Sequence, residues 1–233
     1  MTMIPLILVP GVLCDRTLFA PQLAALSDIA DIHVTDEHLY HDDIGEIADA
    51  ILADAPERFA VAGLSFGGYI VFELLRRAPQ RISHAAFLDT SARADTEERK
   101  QARAKDLARV GEGRFIGVSE GLLPLFMHPD HLADDNLRNR VKNMTQRVGE
   151  EAFVSQIHAV MSRPDSRPDL AAITCPTLVL VGAEDQMTPP ELAREIHAGI
   201  AGSRLVEVPH CGHLATIEQP EAVNAALREW LAD

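Results

Sequence analysis

Phe59-Ala60-Val61-Ala62-Gly63-Leu64-Ser65-Phe66-Gly67-Gly68-Tyr69-Ile70-Val71-Phe72-Glu73-Leu74-Leu75-Arg76-Arg77 holds two periodicities in one line. Phe59–Leu64 is a short apolar run of the kind that forms a fully buried strand. From Phe66 to Arg77, the apolar residues Ile70, Val71, Leu74 and Leu75 recur at helical spacing and share one face. The chain must pass from strand to helix at Ser65, the centre of a G-x-S-x-G pattern. A serine there sits on a sharp, strained turn, and Gly63 and Gly67 lack the Cβ atoms that would clash in it. Such a turn exposes the hydroxyl above the C-terminal edge of a parallel sheet, where α/β proteins hold ligands. The helix N-terminus beneath it offers free N–H groups and a partial positive charge to a developing oxyanion.

The same rhythm extends in both directions. Strand-like runs at Ile4–Val9, Ile29–Val34 and Ile82–Leu88 alternate with helical stretches at Thr17–Leu26 and Ile44–Ala55. Alternation of this kind predicts βαβ units and a mostly parallel sheet with helices on both faces, an α/β fold class. It breaks from about Ser91 to Thr174, where no good strand candidate occurs. That stretch reads as about four helices with breaks at Gly111, Gly113 and Gly149, and Arg163 to Pro168 as an exit linker. The rhythm returns with strands Thr177–Val181 and Arg204–Val208, a helix near Pro190–Ala198, and a last helix over Pro220–Leu231. The expected organisation is a core of residues 1–90 and 175–233, with a helical insertion of residues 91–174.

Composition narrows the class. With 233 residues, 47% of them hydrophobic, the chain suits one α/β domain with a sizeable core. The net charge of −14 argues against nucleic acid and anionic membranes as partners. That charge is uneven: residues 93–167 sum to +1 and the remainder to −15, so a carboxylate-bearing substrate stays open. No run is long enough for a membrane span. The first residues carry no basic group ahead of their apolar run, unlike a secretory signal. Cys14, Cys175 and Cys211 are widely spaced and odd in number, as expected of reduced thiols in a cytoplasmic protein.

A serine alcohol needs a base. Pro209-His210-Cys211-Gly212-His213 follows the strand Arg204–Val208 and so reaches the same sheet edge as Ser65. His213, beside Gly212 and leading into the final helix, is the expected base, and His210 shapes the loop. The imidazole needs a carboxylate to hold its tautomer. Asp185, in Gly182-Ala183-Glu184-Asp185 past strand Thr177–Val181, is preferred to Glu184. Asp89, at the end of Ile82–Leu88, is a second candidate that reads better as an anchor for the turn into the insertion. Three strand ends thus deliver Ser, Asp and His.

In these features the chain resembles the α/β-hydrolase superfamily, in particular capped, esterase-like members similar to pimeloyl-carrier-protein methyl ester esterase and 3-oxoadipate enol-lactonase. The resemblance covers the first strand and its glycine loop, the Ser65 turn, the insertion, Gly182–Asp185 and Gly212-His213. It implies catalysis without a cofactor through an acyl-enzyme on Ser65. It also implies an oxyanion hole of two backbone N–H groups. One belongs to Phe66. The other falls by position to Val12 in Pro10-Gly11-Val12, with Leu13 adjacent, where many members read His-Gly-x. The insertion is then a cap. Leu122–Met127 and Phe153–Met161 are expected to line an acyl pocket with Phe66 and Tyr69, giving Leu13, Tyr69, Leu123, Phe126, Met127 and His158 as substrate contacts.

Other polar residues carry weaker signals. His210 with His213, the loop holding His33, His38 and His41 among Asp36, Asp42 and Asp43, and the pair His128 and His131 make poor metal-ligand sets, so no metal is expected. His128 and His131 could instead meet substrate. Cys14 has no base to make it a nucleophile. Arg163 and Arg167 read as a solvated linker, with a substrate carboxylate as the sharper alternative. The expected function is hydrolysis of a small or medium-sized carboxylic ester, open to lactones and thioesters. Alternatives are C–C hydrolysis, perhydrolysis or a lyase step on the same fold, or a ligand receptor with a slow triad. Dehalogenase and epoxide-hydrolase readings are disfavoured, since both require an aspartate where this chain has Ser65.

Overall fold

A computed structural model describes residues 3–233. Six strands form one sheet: β1 (Ile4–Val9), β2 (Ala30–Val34), β3 (Phe59–Leu64), β4 (Ile82–Leu88), β5 (Thr177–Gly182) and β6 (Arg204–Val208). Their order is β2-β1-β3-β4-β5-β6, and every pairing is parallel. β3 and β5 are buried along their whole length. Strands covered on both faces must be apolar at every position rather than at alternate ones, which is why they read as continuous hydrophobic runs.

Side-chain alternation along the strands divides the interior in two. Leu6, Leu8, Ala60, Ala62, Leu178 and Leu180 face one side, packed with Leu227 and Trp230 of α9 (Pro220–Leu231). Ile7, Val9, Val61, Phe87, Val179 and Val181 face the other, against α2 (Ile44–Asp54), α3 (Phe66–Arg77) and α7 (Pro190–Gly199). The helix expected over Thr17–Leu26 is shorter. A 3-10 turn at Arg16–Phe19 precedes α1 (Ala20–Ala25), because Pro21 lacks an N–H and starts a new helix.

Between β4 and β5 lie α4 (Glu97–Gly111), α5 (Leu123–Phe126) and α6 (Asp135–Ser162), which bends at Gly149 (φ 79°). Val118, Leu123, Met127, Val141 and Met144 of this insertion join the same apolar cluster as β1 and β3. The insertion therefore packs onto the edge of the sheet without a separate core. The short α8 (Ala215–Glu218) precedes α9.

The exit linker departs from expectation. Arg163 is buried (6% exposed), and its guanidinium reaches Asp95 Oδ1 at 2.8 Å and the carbonyls of Val160 and Arg93 at 2.7 and 3.2 Å. It also lies 4.1 Å from the centre of the Tyr69 ring. It does not line the large cavity; with Asp95 it ties the end of the insertion to the segment that leads into it, and through Tyr69 to α3. Burial favours a neutral Asp95, but Arg103 and Arg163 outweigh it and hold its carboxyl below the ordinary range. Arg163→Met should therefore cost about 3 kcal/mol in a urea titration at pH 7, since a buried carboxylate loses a partner. The loss should shrink as pH falls through the carboxylate range, because Asp95 then protonates in folded and unfolded chains alike. Arg167, by contrast, is exposed and pairs with Asp165.

Candidate active site

The turn from β3 into α3 places Ser65 at φ 55° and ψ −112°, a backbone shape that side chains rarely adopt. The turn survives because its neighbours leave room for nothing else. A Cβ on Gly67 would stand 2.0 Å from the Val9 carbonyl oxygen, and one on Gly63 would stand 2.2 Å from the Gly67 carbonyl. The Ser65 N–H donates to the Leu88 carbonyl at 2.9 Å, and the Thr90 hydroxyl donates to the Ser65 carbonyl at 2.7 Å. β4 thus grips the turn from the side.

Ser65 Oγ lies 2.9 Å from Nε2 of His213, and Nδ1 of the same imidazole lies 2.8 Å from Oδ2 of Asp185. A serine, an imidazole and a carboxylate from the ends of β3, β6 and β5 so form one hydrogen-bonded line. Asp185 Oδ1 accepts from the N–H groups of Met187 and Thr188 at 2.8 and 3.0 Å. The Thr188 hydroxyl donates to Oδ2 at 2.7 Å. Burial pushes the Asp185 carboxyl up, but the adjacent His213 and these donors prevail and hold it below its ordinary value. An ionised carboxylate is what keeps a proton on His213 Nδ1 and leaves Nε2 free to accept.

The backbone around His213 is held on both sides. Its N–H donates to the Phe126 carbonyl at 2.9 Å, and the buried Glu218 carboxylate accepts from Gly212 and Leu214, each at 3.1 Å. Asp89, the second acid candidate, points elsewhere: it accepts from Gly182 N–H at 2.8 Å and Ala215 N–H at 3.3 Å. Burial first, and repulsion from Asp185 second, push its carboxyl well above the usual range. It anchors β4 to β5 and α8. Glu184 turns away and accepts from Cys211 N–H at 3.0 Å.

Among the described residues, the N–H groups of Val12 and Phe66 have no protein acceptor. Leu13 N–H is already taken by Gln156 Oε1 of α6 at 2.9 Å, which separates it from Val12. The loop that carries Val12 abuts the Ser65 turn, since a Cβ on Gly11 would stand 3.4 Å from Ser65 Cβ. His38 supports this loop from below. It is buried rather than solvated; its Nε2 lies 2.9 Å from the Cys14 carbonyl, and burial lowers its pKa to about 4. Neutral and buried, it is a prop for the chain. Burial also pushes the Cys14 thiol to about 12, so no thiolate competes with Ser65 at neutral pH.

Ser65 and His213 open into a cavity of about 850 Å³ between the sheet edge and the insertion. Leu13, Tyr69 and Phe126 line it, as do Leu122, Leu125, Phe153, Ile157 and Val160. Leu123, Met127 and His158 do not. Leu123 and Met127 lie on the opposite side of the short α5, each 1% exposed in the apolar core. His158 projects to solvent, because the cavity face of α6 runs through Phe153, Ile157 and Val160 at spacings of four and three. His128 and His131 are outside the cavity as well, and His131 Nδ1 lies 2.9 Å from Glu218. Ile116, Leu122, Leu125 and Met187, four of the six large apolar side chains exposed among the described residues, border the cavity. Arg99, Arg103, Arg109 and Arg114 also border it from the α4 side.

Three contributors to this site escaped the sequence: Thr188, Glu218 and Gln156. Thr188 follows Asp185 by three residues, a spacing at which a side chain can cap its own turn, so a local signal existed. Glu218 reaches back only six and four residues, to Gly212 and Leu214, but its partners are backbone N–H groups that carry no residue pattern; Gln156 acts across the fold on Leu13.

A family model described as the alpha/beta hydrolase family matches residues 6–226. The chain belongs to that family. This α/β-hydrolase is 30% identical over 190 residues, covering 76% of it and 69% of the relative, to the protein of Mycobacterium tuberculosis named for a non-heme bromoperoxidase activity (BpoC). It is 26% identical over 199 residues to the pimeloyl-[acyl-carrier protein] methyl ester esterase of Neisseria meningitidis serogroup C, covering 81% of the hydrolase and 75% of the relative. Among solved structures it superimposes on a thermophilic esterase from Thermogutta terrifontis with a TM-score of 0.89, at 30% identity over 99% of this chain and 90% of that one. The enol-lactonase from Burkholderia xenovorans LB400 gives a TM-score of 0.87 at 25% identity, over 100% and 93% of the two chains. No helix among the described residues is long and apolar enough to cross a membrane.

Proposed function

We propose that this hydrolase cleaves small or medium-sized carboxylic esters through an acyl-enzyme on Ser65. The observation that carries the reading is the line Ser65–His213–Asp185, with contacts of 2.9 and 2.8 Å, opening into a largely apolar cavity. Ser65 Oγ attacks the ester carbonyl carbon while His213 Nε2 takes its proton. The carbonyl oxygen becomes an oxyanion and receives the N–H groups of Val12 and Phe66, helped by the positive end of α3. Collapse expels the alcohol, protonated by His213, and leaves the acyl group on Ser65. Water then attacks that carbonyl with His213 again as base, releasing the acid and restoring the serine. Asp185 steadies the imidazolium in both halves.

Residues 91–174 act as a cap over a core of residues 1–90 and 175–233. The aliphatic residues facing the cavity supply acyl binding, and the apolar border admits the substrate. The substrate is a small molecule, no cofactor takes part, and the free thiols suit a cytoplasmic setting. Esterase and lactonase names among the relatives support bond types of this kind.

The test is a series of p-nitrophenyl esters from acetate to octanoate. The expected result is turnover with a chain-length preference set by the cavity. Ile157→Trp, which fills the cavity beneath the cap, should lower kcat/KM for octanoate about tenfold relative to acetate. A folded protein that turns over none of these esters contradicts the reading.

A further inference from the structure

Outside the cavity, the edge of the insertion meets the loop that carries His213 through three side chains. His128 and Asp130 stand between α5 and α6, and His210 stands eighty residues further on from Asp130. One oxygen of Asp130, Oδ2, lies 3.2 Å from Nδ1 of His210 and 3.5 Å from Nδ1 of His128. One ligand atom from each of the three residues falls within 4.8 Å of the others. None of the three lines the cavity.

We infer that His128, Asp130 and His210 form a surface site for a divalent transition-metal cation of the zinc type, which ties the insertion to the His213 loop. Two imidazoles and one carboxylate are borderline donors, suited to zinc, cobalt or nickel rather than to calcium or magnesium. Zinc at about 2.1 Å from each donor sets ligand atoms about 3.4 Å apart in a tetrahedron. The two distances from Asp130 Oδ2 already match that edge, and rotation of the exposed His210 ring can close the third. The Asp130 N–H points at Nδ1 of His128 at 3.2 Å, which favours the tautomer with a lone pair there. A cation replaces that donor and takes the lone pair. The fourth position faces solvent and holds water.

Position gives the site its consequence. Glu218, which clamps Gly212 and Leu214 on either side of His213, also accepts from His128 N–H. A cation across His128 and His210 therefore braces both ends of one clamp. Binding to the folded chain alone raises its stability with the logarithm of free cation once that exceeds Kd. Cation binding at this site does not depend on the reaction assigned to Ser65.

Isothermal titration of zinc chloride into untagged, chelator-free protein tests it, together with the visible absorption bands of cobalt(II) and the thermal midpoint with and without zinc. The expected result is one saturable site per chain, cobalt bands of tetrahedral or five-coordinate intensity, and a midpoint that rises with zinc. His210→Asn keeps the left-handed backbone at φ 53°, which asparagine tolerates, and removes an imidazole that is 70% exposed, so the variant folds. It should weaken binding about a hundredfold and abolish the midpoint shift, as should His128→Ala. Cys175→Ser, removing the half-buried free thiol, should change neither. No saturable binding at millimolar zinc, or binding that survives His210→Asn, overturns the inference and leaves a hydrogen-bonded trio. So does binding that disappears with Cys175→Ser.

Discussion

Replacing Ser65 with alanine should lower ester turnover on the order of a millionfold and leave the fold intact. The loss is large because in the proposed reaction the Ser65 oxygen forms the acyl bond, and no neighbouring group can substitute for it. The fold survives because Ser65 Oγ has one protein partner among the described residues, His213 Nε2. Unfolding free energies of the two proteins from urea titration should agree to within about 0.5 kcal/mol. Ser65→Gly separates strain from chemistry. At φ 55° and ψ −112° the serine backbone costs about 1–3 kcal/mol, which glycine does not incur. Against this stands about 0.5–1 kcal/mol for the greater freedom of glycine in the unfolded chain. Relief outweighs freedom, so Ser65→Gly should be inactive and about 1 kcal/mol more stable than wild type. Turnover at ordinary rates in either variant, measured on p-nitrophenyl acetate, would remove Ser65 from the reaction.

Asp185→Asn should lower kcat about ten-thousandfold at neutral pH with little loss of stability. Asparagine can keep its oxygen on the N–H groups of Met187 and Thr188, as Asp185 Oδ1 does now. Its NH₂ then faces His213 Nδ1, where the carboxylate oxygen stood at 2.8 Å. Two donors cannot share that contact, so the imidazole takes the tautomer with its proton on Nε2 and ceases to accept from Ser65. Asp89 cannot replace the lost carboxylate, because Gly182 and Ala215 hold both of its oxygens. Rates within tenfold of wild type would reassign the orienting role. Asp89→Asn in the same background would show whether Asp89 takes it.

The parts of this molecule that were legible in its sequence are those governed by local rules. A strand buried on both faces is apolar at every position, so β3 and β5 announce themselves. A strand that enters a helix within one residue needs glycines at fixed offsets, so the Ser65 turn does too. Parallel topology then brings residues past the ends of β3, β5 and β6 to one edge, which is why Asp185 and His213 could be expected beside Ser65. The contacts from the insertion were harder for a geometric reason. In a one-turn helix such as α5, a rotation of 100° decides whether Leu123 or Leu125 meets the cavity, and both are leucine. His158 failed on α6 in the same way, where Ile157 and Val160 hold the face. Arg163 read as solvated, and His38 carried no structural role, because their partners, Asp95 with Tyr69 and the Cys14 carbonyl, come from distant chain segments. The trio His128, Asp130 and His210 is likewise assembled only by folding.

The most direct measurement is the intact mass of the protein after treatment with a fluorophosphonate, followed by peptide mapping. Such a reagent captures a serine only when a base activates it and an oxyanion site receives the phosphoryl oxygen. One adduct per chain on the peptide containing Ser65, absent from Ser65→Ala and formed far more slowly by Asp185→Asn, is the predicted result. A protein that hydrolyses esters yet takes no adduct, or takes it on another residue, would contradict an acyl-enzyme at Ser65.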